Sequence, residues 1–596
     1  MNTTRFEIER LEFSQQAVKS WAPREQHNTN WPVVYILDDA DRGTRAWRSG
    51  VLDNVYVGET LNADKRMRQH LGSPEKQQLR TIRVIIDETF NKSVCLDLES
   101  YLIRLFAGDG TYRVLNRNDG ITEADYFDRA KYRETFREVF DHLLRDGVFT
   151  RGIPEIENSD LFKLSPFKAL SQDQAIAVED ILEGLFAHVK ADVGSTSVIQ
   201  GDPGTGKTVI GIYLIKLLVD IARSMPQDDI DGDSLFSEFF VPGYPELLRD
   251  FRIGLVVPQQ SLRKSIQKVF RKTPGLSADM VMTPFEVGVA DQQIDLLVVD
   301  EAHRLNQRAN QPSASQNKKF QDVTEKLFGA DDKTKTQLDW IRAKSKHQIF
   351  LLDAAQSVRP ADVPQALLED MVFQAQRDHR YYPLLSQMRV QAGSDYVGYI
   401  RRIFGTAPAL GEPTPVAPET FDGYDFRMFD DVAEMRDQIH RKDAEGGLAR
   451  MVAGYAWEWK TKNDKTAFDI QIDETQFRWN GTQVDWIASK GSLEEVGSIH
   501  TVQGYDLNYA GVIIGNDLRY DPLVKRLFID RASYFDKKGK ENNPALGKTY
   551  TDDDLLRFIT NIYAVLLTRG IRGTYVYVCD PALRAHLKQF IPSDPA

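Results

Sequence analysis

The residues with the clearest chemical potential lie in one glycine-rich segment. It runs from Gly201 to Thr208 as G-D-P-G-T-G-K-T, after a strand-like run and before a helical pattern. In this setting glycines allow backbone N–H groups to converge on phosphate oxygens, at a helix N-terminus whose dipole favours negative charge. We expect Lys207 to reach the β- and γ-phosphates of ATP and the Thr208 hydroxyl to bind Mg²⁺. The predicted nucleotide-binding residues of this phosphate-binding loop are Gly201, Gly204, Gly206, Lys207 and Thr208.

An acidic pair supplies the second part of such a site. The apolar run from Ile294 to Val299 ends in Asp300 and Glu301. Carboxylates at the carboxyl end of a core strand lie where ligands bind in parallel sheets. We expect Asp300 to hold Mg²⁺ through water, and Glu301 to position and polarise the attacking water. The two motifs together predict an enzyme that binds a nucleotide with Mg²⁺. Kinases, GTPases and translocases share this phosphate-binding arrangement, so the remaining residues must decide between them.

A second set of reactive residues lies in the first 120 positions of the chain. Tyr35 and Tyr56 lie on two strand-like runs. Arg66 and His70, four residues apart, share one face of a predicted helix. Glu99 falls on the apolar stripe of another predicted helix, where an unpaired carboxylate is costly and favours a metal ion or a cation beside it. Two tyrosines, an arginine, a histidine and a glutamate are a plausible set for cutting phosphodiester bonds.

The composition restricts the class of protein. With 596 residues, 42% of them hydrophobic and 27% charged, the chain is long enough for several cores and typical of a soluble globular protein. Two cysteines exclude a disulfide framework, and no apolar run approaches the length of a membrane span, so we expect a cytoplasmic protein without membrane contact. A net charge of -12 argues against a nucleic-acid coat protein. The net charge of the whole chain does not exclude a local basic groove. Basic residues outnumber acidic ones between Arg42 and Arg83.

Hydrophobic periodicity divides the chain into three domains and one linker. Strand-like runs and helices alternate over residues 1–150, and residues 151–165 lose periodicity around Pro and Gly. Residues 166–375 and 376–596 each alternate helical patterns with short apolar runs that end in polar residues or Gly. This rhythm predicts parallel, doubly wound sheets. The expected fold class is α/β, with a small α+β domain followed by two parallel-sheet domains.

Further motifs accompany the phosphate-binding loop along the chain. They are Gln174, Gln356, Arg389, the segment 498–506 (S-I-H-T-V-Q-G-Y-D) and the segment 566–572 (L-L-T-R-G-I-R), which contains Arg569. In this order and spacing the series resembles the superfamily 1 helicases, and the last two segments look most like their Schlafen-type branch. The resemblance covers about residues 165–585. It implies two RecA-like domains with ATP in the cleft between them.

The same resemblance implies roles for single residues. Gln174 matches the glutamine that reads adenine, and Gln356 would sense the γ-phosphate. Arg389 and Arg569 would reach across from the second domain as arginine fingers, which stabilise charge on the transferred phosphoryl group when the domains close. Leu352 stands where the family usually carries Gly, and the chain after Arg389 is too short for the large mobile subdomain of the repair helicases. ATP hydrolysis is therefore better supported than processive unwinding.

The N-terminal constellation resembles the GIY-YIG endonucleases. The matched residues are Tyr35, Tyr56, Arg66, His70, Glu99 and Asn116. By that likeness a tyrosine helps to activate water, His70 assists proton transfer and Arg66 stabilises the phosphorane. Glu99 would hold one Mg²⁺ or Mn²⁺ ion. Two features depart from the family pattern: Val33 replaces the first glycine, and the 20 residues between the two tyrosines exceed the usual spacing.

Together these resemblances predict an ATP-dependent endonuclease that acts on nucleic acid, DNA before RNA, with a superfamily 1 motor. Such fusions look like bacterial restriction or anti-phage defence factors. Three alternatives stay open: a DNA-repair helicase–nuclease, a switch in which bound NTP gates the nuclease without translocation, and an N-terminal fold that binds nucleic acid without cutting it. A second copy of the chain, or a partner protein of a defence system, would be compatible with each of them.

Overall fold

The structure is a computed structural model of the 596-residue chain. It describes residues 6–39, 52–117, 125–225, 236–308, 314–353, 359–384, 395–405, 416–482, 486–502 and 506–594. The chain divides into two compact units, which we call the N-terminal unit and the C-terminal unit. The N-terminal unit comprises residues 1–182, 212–250 and 265–280, and the C-terminal unit comprises residues 183–211, 251–264 and 281–596. The predicted domains are consecutive segments of the chain, whereas each compact unit combines segments that are separate in sequence. The predicted boundaries stay a prediction.

The N-terminal unit is built on one mixed sheet. Its strands are β1 (Phe6–Glu12), β2 (Val33–Asp38), β3 (Asp53–Thr60), β4 (Thr81–Asp87) and β5 (Tyr112–Val114). They lie in the order β1-β4-β2-β3-β5, antiparallel except for the parallel pair β3 and β5. The helices of this part are α1 (Gln15–Trp21), α2 (Ala63–Leu71), α3 (Lys92–Asp109), α4 (Arg129–Arg145), α5 (Ile153–Glu157) and α6 (Asp160–Lys163). The last two short helices lie in the segment predicted as a linker.

The residue types of the central strands explain their burial. All six residues of β2 (V-V-Y-I-L-D) and all seven of β4 (T-I-R-V-I-I-D) are buried. Such continuous apolar runs are typical of strands that are covered on both faces. One covering element is α3, whose residues Leu98, Leu102 and Phe106 are fully buried in the same core as strand residues of β2 and β3. This core positions β2 and β3, and a second core packs Ala63 and Met67 of α2 with Tyr35. These three elements carry reactive residues of the N-terminal unit.

The first parallel sheet belongs to the C-terminal unit. Its strands are β6 (Ser195–Gly201), β7 (Ile253–Val256), β8 (Val281–Met282), β9 (Ile294–Val299), β10 (Ser345–Leu352) and β11 (Tyr381–Leu384). They lie in the order β11-β6-β10-β9-β7-β8, and every neighbouring pair is parallel. The helices of this part of the chain are α7 (Gln172–Lys190), α8 (Lys207–Arg223), α9 (Tyr244–Leu247), α10 (Gln260–Lys272), α11 (Pro284–Val289), α12 (Ala314–Phe328), α13 (Gln337–Lys344) and α14 (Gln365–Arg377). Because β6, β10 and β9 are parallel neighbours, the residues that follow them meet at one edge of the sheet.

A second sheet occupies the rest of the C-terminal unit. Its strands are β12 (Asp425–Met428), β13 (Ala449–Ala453), β14 (Ile470–Ile472), β15 (Thr475–Trp479), β16 (Glu495–Ser498), β17 (Leu507–Ile514) and β20 (Gly570–Val578). They lie in the order β12-β20-β17-β13-β16-β15-β14, parallel except for the hairpin of β14 and β15. A separate hairpin is formed by β18 (Leu518–Asp521) and β19 (Arg526–Ile529). The helices are α15 (Tyr396–Ile403), α16 (Val432–Gly446), α17 (Ile499–Val502), α18 (Asp552–Leu567) and α19 (Pro581–Leu587).

The two parallel sheets confirm the expected α/β class and are consistent with two RecA-like domains. The predicted apolar strand of the acidic motif is present with the predicted bounds, as β9. Its sequence, I-D-L-L-V-V, leaves only the second residue half-buried, as a central strand requires. Among the helices in the described ranges, none has both the length and the apolar character needed to cross a membrane.

Candidate functional site

The phosphate-binding loop joins β6 to α8. β6 ends at Gly201 and α8 begins at Lys207. Gly204 and Gly206 have φ angles of 91° and 81°, a left-handed conformation that favours glycine. The Lys207 ammonium group donates hydrogen bonds to the carbonyl oxygens of Gly201 (2.6 Å) and Asp202 (2.8 Å). The loop thus holds a cation at the N-terminus of α8, where backbone N–H groups and the helix dipole also favour an anion.

Thr208 and Asp300 bring the predicted magnesium ligands together. The Thr208 hydroxyl donates a 2.9 Å hydrogen bond to Oδ2 of Asp300. Asp300 is 1% exposed, and burial, together with the adjacent Glu301 carboxylate, raises its pKa. A divalent cation suits this donor set, because it favours the ionised carboxylate and prefers oxygen ligands. The residues present therefore fit Mg²⁺ at this position.

Glu301 is held by the histidine two residues after it. Its φ of 49° lies in the left-handed region, where a residue with a Cβ is strained, and such strain clusters at functional sites. Nε2 of His303 lies 3.0 Å from Oε2 of Glu301, and Nδ1 accepts a 3.4 Å hydrogen bond from the backbone N–H of Asp353. Because Nδ1 accepts, the neutral ring carries its proton on Nε2, the nitrogen that faces the Glu301 carboxylate. Burial opposes ionisation of Glu301, but His303 and Arg304 outweigh it and lower the pKa of Glu301.

Arg401, which no sequence motif indicates, and Asp353, which directly follows Leu352 of the third apolar strand, complete this site. Arg401 of α15 donates hydrogen bonds to Oδ1 of Asp202 (2.5 Å) and to Oδ1 of Asp353 (3.3 Å). Asp353 follows β10, and its Oδ2 lies 4.0 Å from Nζ of Lys207. Burial opposes the guanidinium charge, but the two carboxylates outweigh it and raise the pKa of Arg401. A cation from the part of the chain that builds the second sheet therefore contacts the phosphate-binding loop.

Four further residues are predicted for the nucleotide site. Gln174 belongs to α7 in the N-terminal unit, where it is buried and its side-chain oxygen accepts a 3.1 Å hydrogen bond from the N–H of Ser171. Arg569 lies between α18 and β20 and is 2% exposed. Its carbonyl oxygen accepts a hydrogen bond from the backbone N–H of Leu507, the first residue of β17. The adenine-reading and arginine-finger roles of these two residues stay predictions. Gln356 and Arg389 lie outside the described residues.

The second candidate site lies in the N-terminal unit and is formed around Tyr35, Tyr56 and His70; we call it the tyrosine–histidine site. The Tyr35 hydroxyl lies 2.7 Å from Nε2 of His70. The Tyr56 ring centroid lies 5.1 Å from that of His70 and 6.2 Å from that of Tyr35. The charge of Arg66 favours ionisation of the Tyr35 hydroxyl and that of Glu99 opposes it, although burial, the largest effect, raises the pKa of Tyr35 well above its usual value. The structure therefore brings Tyr35, Tyr56 and His70 together, with Arg66 and Glu99 close enough for their charges to act on the same hydroxyl.

Lys76 adds a cation to this site that no sequence motif indicates. Its Nζ lies 2.8 Å from Nδ1 of His70 and 3.6 Å from the centroid of the Tyr56 ring. An ammonium group only donates hydrogen bonds, so Nδ1 accepts and the neutral His70 ring donates through Nε2 to the oxygen of Tyr35. Burial, and after it the charges of Lys76 and Arg66, lowers the pKa of His70 to about 2. The imidazole is therefore neutral over the physiological pH range.

Asn116 and Gly58 shape the strand that carries Tyr56. The Asn116 side chain accepts a hydrogen bond from the N–H of Val57 (3.1 Å) and donates one to its carbonyl oxygen (2.7 Å). A Cβ atom at Gly58 would lie 2.2 Å from the Tyr35 hydroxyl. Glycine at position 58 therefore permits the close approach of the Tyr35 ring, and Asn116 fixes the backbone beside it.

The carboxylates near this site bear on the predicted metal ion. Within the described ranges, no group of three or more His, Cys, Asp or Glu side chains is arranged to hold a metal. Glu99 is half-buried in α3. Burial raises the pKa of the Cys95 thiol, and the charges of Glu59 and Glu99 raise it further. A carboxylate oxygen is a ligand that Mg²⁺ accepts, and the role of Glu99 in holding one Mg²⁺ or Mn²⁺ ion stays a prediction.

Comparison with known proteins bears on the C-terminal unit above all. A family model described as "Schlafen group 3, DNA/RNA helicase domain" matches residues 195–580, from the first residue of β6 to the segment after β20. The match contains the phosphate-binding loop, the acidic pair and Arg401. An uncharacterized protein of Saccharomyces cerevisiae is 28% identical over 418 residues, which cover 65% of this chain and 83% of that protein. The helicase part of the expected resemblance is confirmed, and the GIY-YIG part stays a prediction.

One solved structure similar to this chain is a complex of arterivirus nonstructural protein 10, a helicase, with DNA. The similarity covers 68% of this chain and 65% of that chain, at 13% sequence identity and a TM-score of 0.26. This chain thus spans slightly less than two thirds of the viral helicase. A TM-score this low does not establish a shared fold.

Proposed function

Because the chain belongs to the Schlafen group 3, DNA/RNA helicase domain family, we propose that its C-terminal unit is an ATP-hydrolysing motor that acts on nucleic acid. One observation carries this proposal: the Thr208 hydroxyl and the Asp300 carboxylate meet at 2.9 Å beside Glu301. The two residues come from strand ends that are far apart in sequence. Their meeting at the N-terminus of α8 is the arrangement that nucleotide hydrolysis with Mg²⁺ requires.

The chemistry assigned to each residue follows from its contacts. Lys207 binds the β- and γ-phosphates by exchanging its two carbonyl contacts for phosphate oxygens. Thr208 and Asp300 would hold Mg²⁺, which would neutralise charge on those oxygens. Glu301 orients the attacking water and accepts its proton, and the nearby His303 lowers the pKa of the carboxyl group and so favours its ionised form.

ATP hydrolysis by purified protein tests this proposal. Lys207→Ala should abolish hydrolysis, because it removes the cation at the phosphates. Lys335→Ala, a partly exposed lysine of the C-terminal unit whose ammonium lies 3.9 Å from Asp339, serves as the matched control and should hydrolyse ATP at the wild-type rate. Adding single-stranded DNA, double-stranded DNA or RNA should stimulate the wild-type rate. A rate that none of them changes rejects the nucleic-acid motor and favours a switch that senses NTP.

A second activity is supported by the tyrosine–histidine site. We propose that the N-terminal unit cuts phosphodiester bonds in nucleic acid, DNA before RNA. The observation behind this proposal is the cluster of polar groups at one phenol oxygen, where Nε2 of His70 lies at 2.7 Å and the charge of Arg66 also acts. In this assignment a tyrosine helps to position the attacking water. Burial raises the pKa of Tyr35 well above its usual value, so Tyr35 acts in its protonated form. Arg66 stabilises the phosphorane, and Glu99 would hold the Mg²⁺ or Mn²⁺ ion that activates the phosphate.

Cleavage assays with Mg²⁺ or Mn²⁺ test the nuclease and its link to ATP. Glu99→Gln should abolish cleavage and leave ATP hydrolysis unchanged. Glu88→Gln, an exposed glutamate of the same unit, should cleave like the wild type. Wild-type protein that never nicks DNA or RNA would instead support an N-terminal fold that only binds nucleic acid. If ATP gates cleavage, Lys207→Ala also loses cleavage, whereas full cleavage by Lys207→Ala rejects the coupling.

The biological setting follows only from the resemblance. A bacterial restriction or anti-phage factor and a DNA-repair factor share the chemistry proposed here and differ in the DNA that they meet. Protection of bacteria from phage by the wild-type gene, lost in both Glu99→Gln and Lys207→Ala, would support the defence role. Protection that survives both changes would reject it.

A further inference from the structure

Arg401 makes an unusual set of contacts for a helix arginine. It lies in α15, yet its guanidinium group reaches Asp202 inside the phosphate-binding loop and Asp353 at the end of β10. Its side chain is 14% exposed, and that of Asp353 is 4% exposed. The two partners lie 199 and 48 positions from Arg401 in sequence. The contact therefore joins α15 to two strand ends of the first parallel sheet.

The adjacent arginine shows that these contacts are specific to one position. Arg402 carries the same charge on the same helix, but its side chain is 39% exposed. Its guanidinium group donates 3.0 Å hydrogen bonds to Asp395 and Glu419, which are surface carboxylates of the same region. Arg402 forms ordinary surface ion pairs, which contribute little to the stability of the fold. Arg401 instead lies in the nucleotide site.

The Asp353 carboxylate marks a place that suits an anion. One of its oxygens lies 3.3 Å from Arg401 and the other lies 4.0 Å from the Lys207 ammonium group. Two cations thus converge on one anionic group beside the phosphate-binding loop. Lys207 is the residue expected to bind the β- and γ-phosphates. A terminal phosphate held by Lys207 would therefore lie within reach of Arg401, and a guanidinium group matches phosphate geometry through paired N–H donors.

We propose that Arg401 is a phosphate-binding residue of the nucleotide site, which exchanges its carboxylate partners for the terminal phosphate of a bound nucleoside triphosphate. This inference rests on the proposed ATP hydrolysis. It adds a residue in α15 to the phosphate-binding loop, the acidic pair and the arginines of the recognised motifs. Asp202 and Asp353 therefore compete with the nucleotide for Arg401.

The test compares Arg401→Ala with the matched control Arg402→Ala. We expect Arg401→Ala to lower kcat for ATP hydrolysis by roughly 10³-fold, as removal of an arginine from a transferred phosphate does. Fluorescent analogues of ATP and ADP separate a phosphate contact from a structural one. Affinity for the ATP analogue should fall by about tenfold or more while affinity for the ADP analogue is unchanged, because only ATP carries the terminal phosphate. Arg402→Ala should match the wild type in each measurement.

A second variant keeps the test informative if Arg401→Ala fails to fold. Asp202→Asn removes one competing carboxylate from a side chain that is 45% exposed, so the fold should tolerate it. It should raise the affinity for the ATP analogue and leave that for the ADP analogue unchanged. Equal losses for both analogues in Arg401→Ala, or an unchanged ATP affinity in Asp202→Asn, overturn the proposal. Wild-type protein that neither binds nor hydrolyses ATP rejects the proposed motor itself, whereas an active wild type matched by Arg401→Ala rejects only the role of Arg401.

Discussion

Nε2 of His303 lies 3.0 Å from Oε2 of Glu301. The imidazole is fully buried, and its other ring nitrogen accepts a hydrogen bond from the backbone N–H of Asp353 at the end of β10. That hydrogen bond orients the ring so that Nε2 faces the carboxylate. His303 therefore connects the ends of two neighbouring strands and lies against the carboxylate that is proposed to orient the attacking water.

Replacing His303 should slow hydrolysis without weakening nucleotide binding. His303→Ala removes the imidazole that lies 3.0 Å from the Glu301 carboxylate, so we expect kcat to fall about 10- to 100-fold, the range typical for partners that orient a ligand or catalytic group. The affinity for ATP should be unchanged, because the contacts of Lys207 and Thr208 remain. His440→Ala, a partly exposed histidine whose ring lies 3.9 Å from Glu494, is the control. Steady-state kinetics in which His303→Ala retains the wild-type kcat would contradict this role.

The nucleotide site was predictable where its contacts are local or set by strand order. Lys207 and Thr208 are placed by a loop of defined spacing, and Asp300 follows a strand that is apolar enough to be recognised as central. Arg401 carries no such signal, because its partners lie far away in sequence and its neighbour Arg402 is of the same type. Only the packing of α15 decides which of the two arginines reaches the loop.

The same distinction holds in the N-terminal unit. Helical spacing places Arg66 and His70 on one face, and the structure brings both to Tyr35. Lys76 lies beyond the end of α2, in a one-turn helix, so no periodicity relates it to His70. Its contact with His70 depends on how the chain turns after α2, which spacing alone does not determine.

Gly58 provides a test of the tyrosine–histidine site in which none of its reactive residues is itself replaced. A Cβ atom at this position would lie 2.2 Å from the Tyr35 hydroxyl, so Gly58→Ala must displace that ring and break its hydrogen bond with His70. We expect cleavage to fall to the level of Glu99→Gln while ATP hydrolysis is kept. Gly72→Ala is the control, since its Cβ would meet only the carbonyl oxygen of Gln69, at 3.4 Å. Equal cleavage by both variants would argue against a role for Tyr35.

The pH profile of cleavage should show no inflection from the titration of His70. Burial, followed by Lys76 and Arg66, lowers the pKa of His70 to about 2, so the ring keeps its neutral form as the pH falls through the usual histidine range near 6.5. The groups that face it are Lys76, Arg66, Tyr35 and Tyr56. We expect the cleavage rate to be insensitive to His70 between about pH 5 and 8. An inflection near pH 6.5 that is lost in His70→Gln would show that the ring titrates there.

Lys76→Met should change that profile in a known direction. The substitution removes the Lys76 ammonium group, which is the charge that lowers the pKa of His70 most and is also the hydrogen-bond donor to Nδ1. Burial and the charge of Arg66 still lower this pKa. The pKa of His70 should rise, so a loss of cleavage at acidic pH should move toward neutral pH. Lys65→Met, on the exposed face of α2, should keep the wild-type profile. A Lys76→Met profile identical to that of the wild type would place Lys76 outside the site.

A buried acid of the C-terminal unit gives the chain a pH-dependent stability. Asp517 is 1% exposed and its Oδ1 accepts a 2.6 Å hydrogen bond from the Tyr563 hydroxyl. Burial raises the pKa of Asp517 from 3.8 to about 7. Between these values the folded chain retains a proton that the unfolded chain has lost, so stability falls as the pH rises through this window and levels off above it. The shift corresponds to at most about 4 kcal/mol.

Asp517→Asn should remove this dependence, because the amide keeps an oxygen for Tyr563 and does not ionise. We expect the Tm of the variant relative to the wild type to be higher at pH 8 than at pH 5, measured by scanning calorimetry on the transition of the C-terminal unit. Asp553→Asn, an exposed carboxylate paired with Arg526, should change Tm by the same amount at both pH values. A Tm difference for Asp517→Asn that does not vary with pH would mean that Asp517 is already ionised in the folded chain at pH 5, against the direction that its burial dictates.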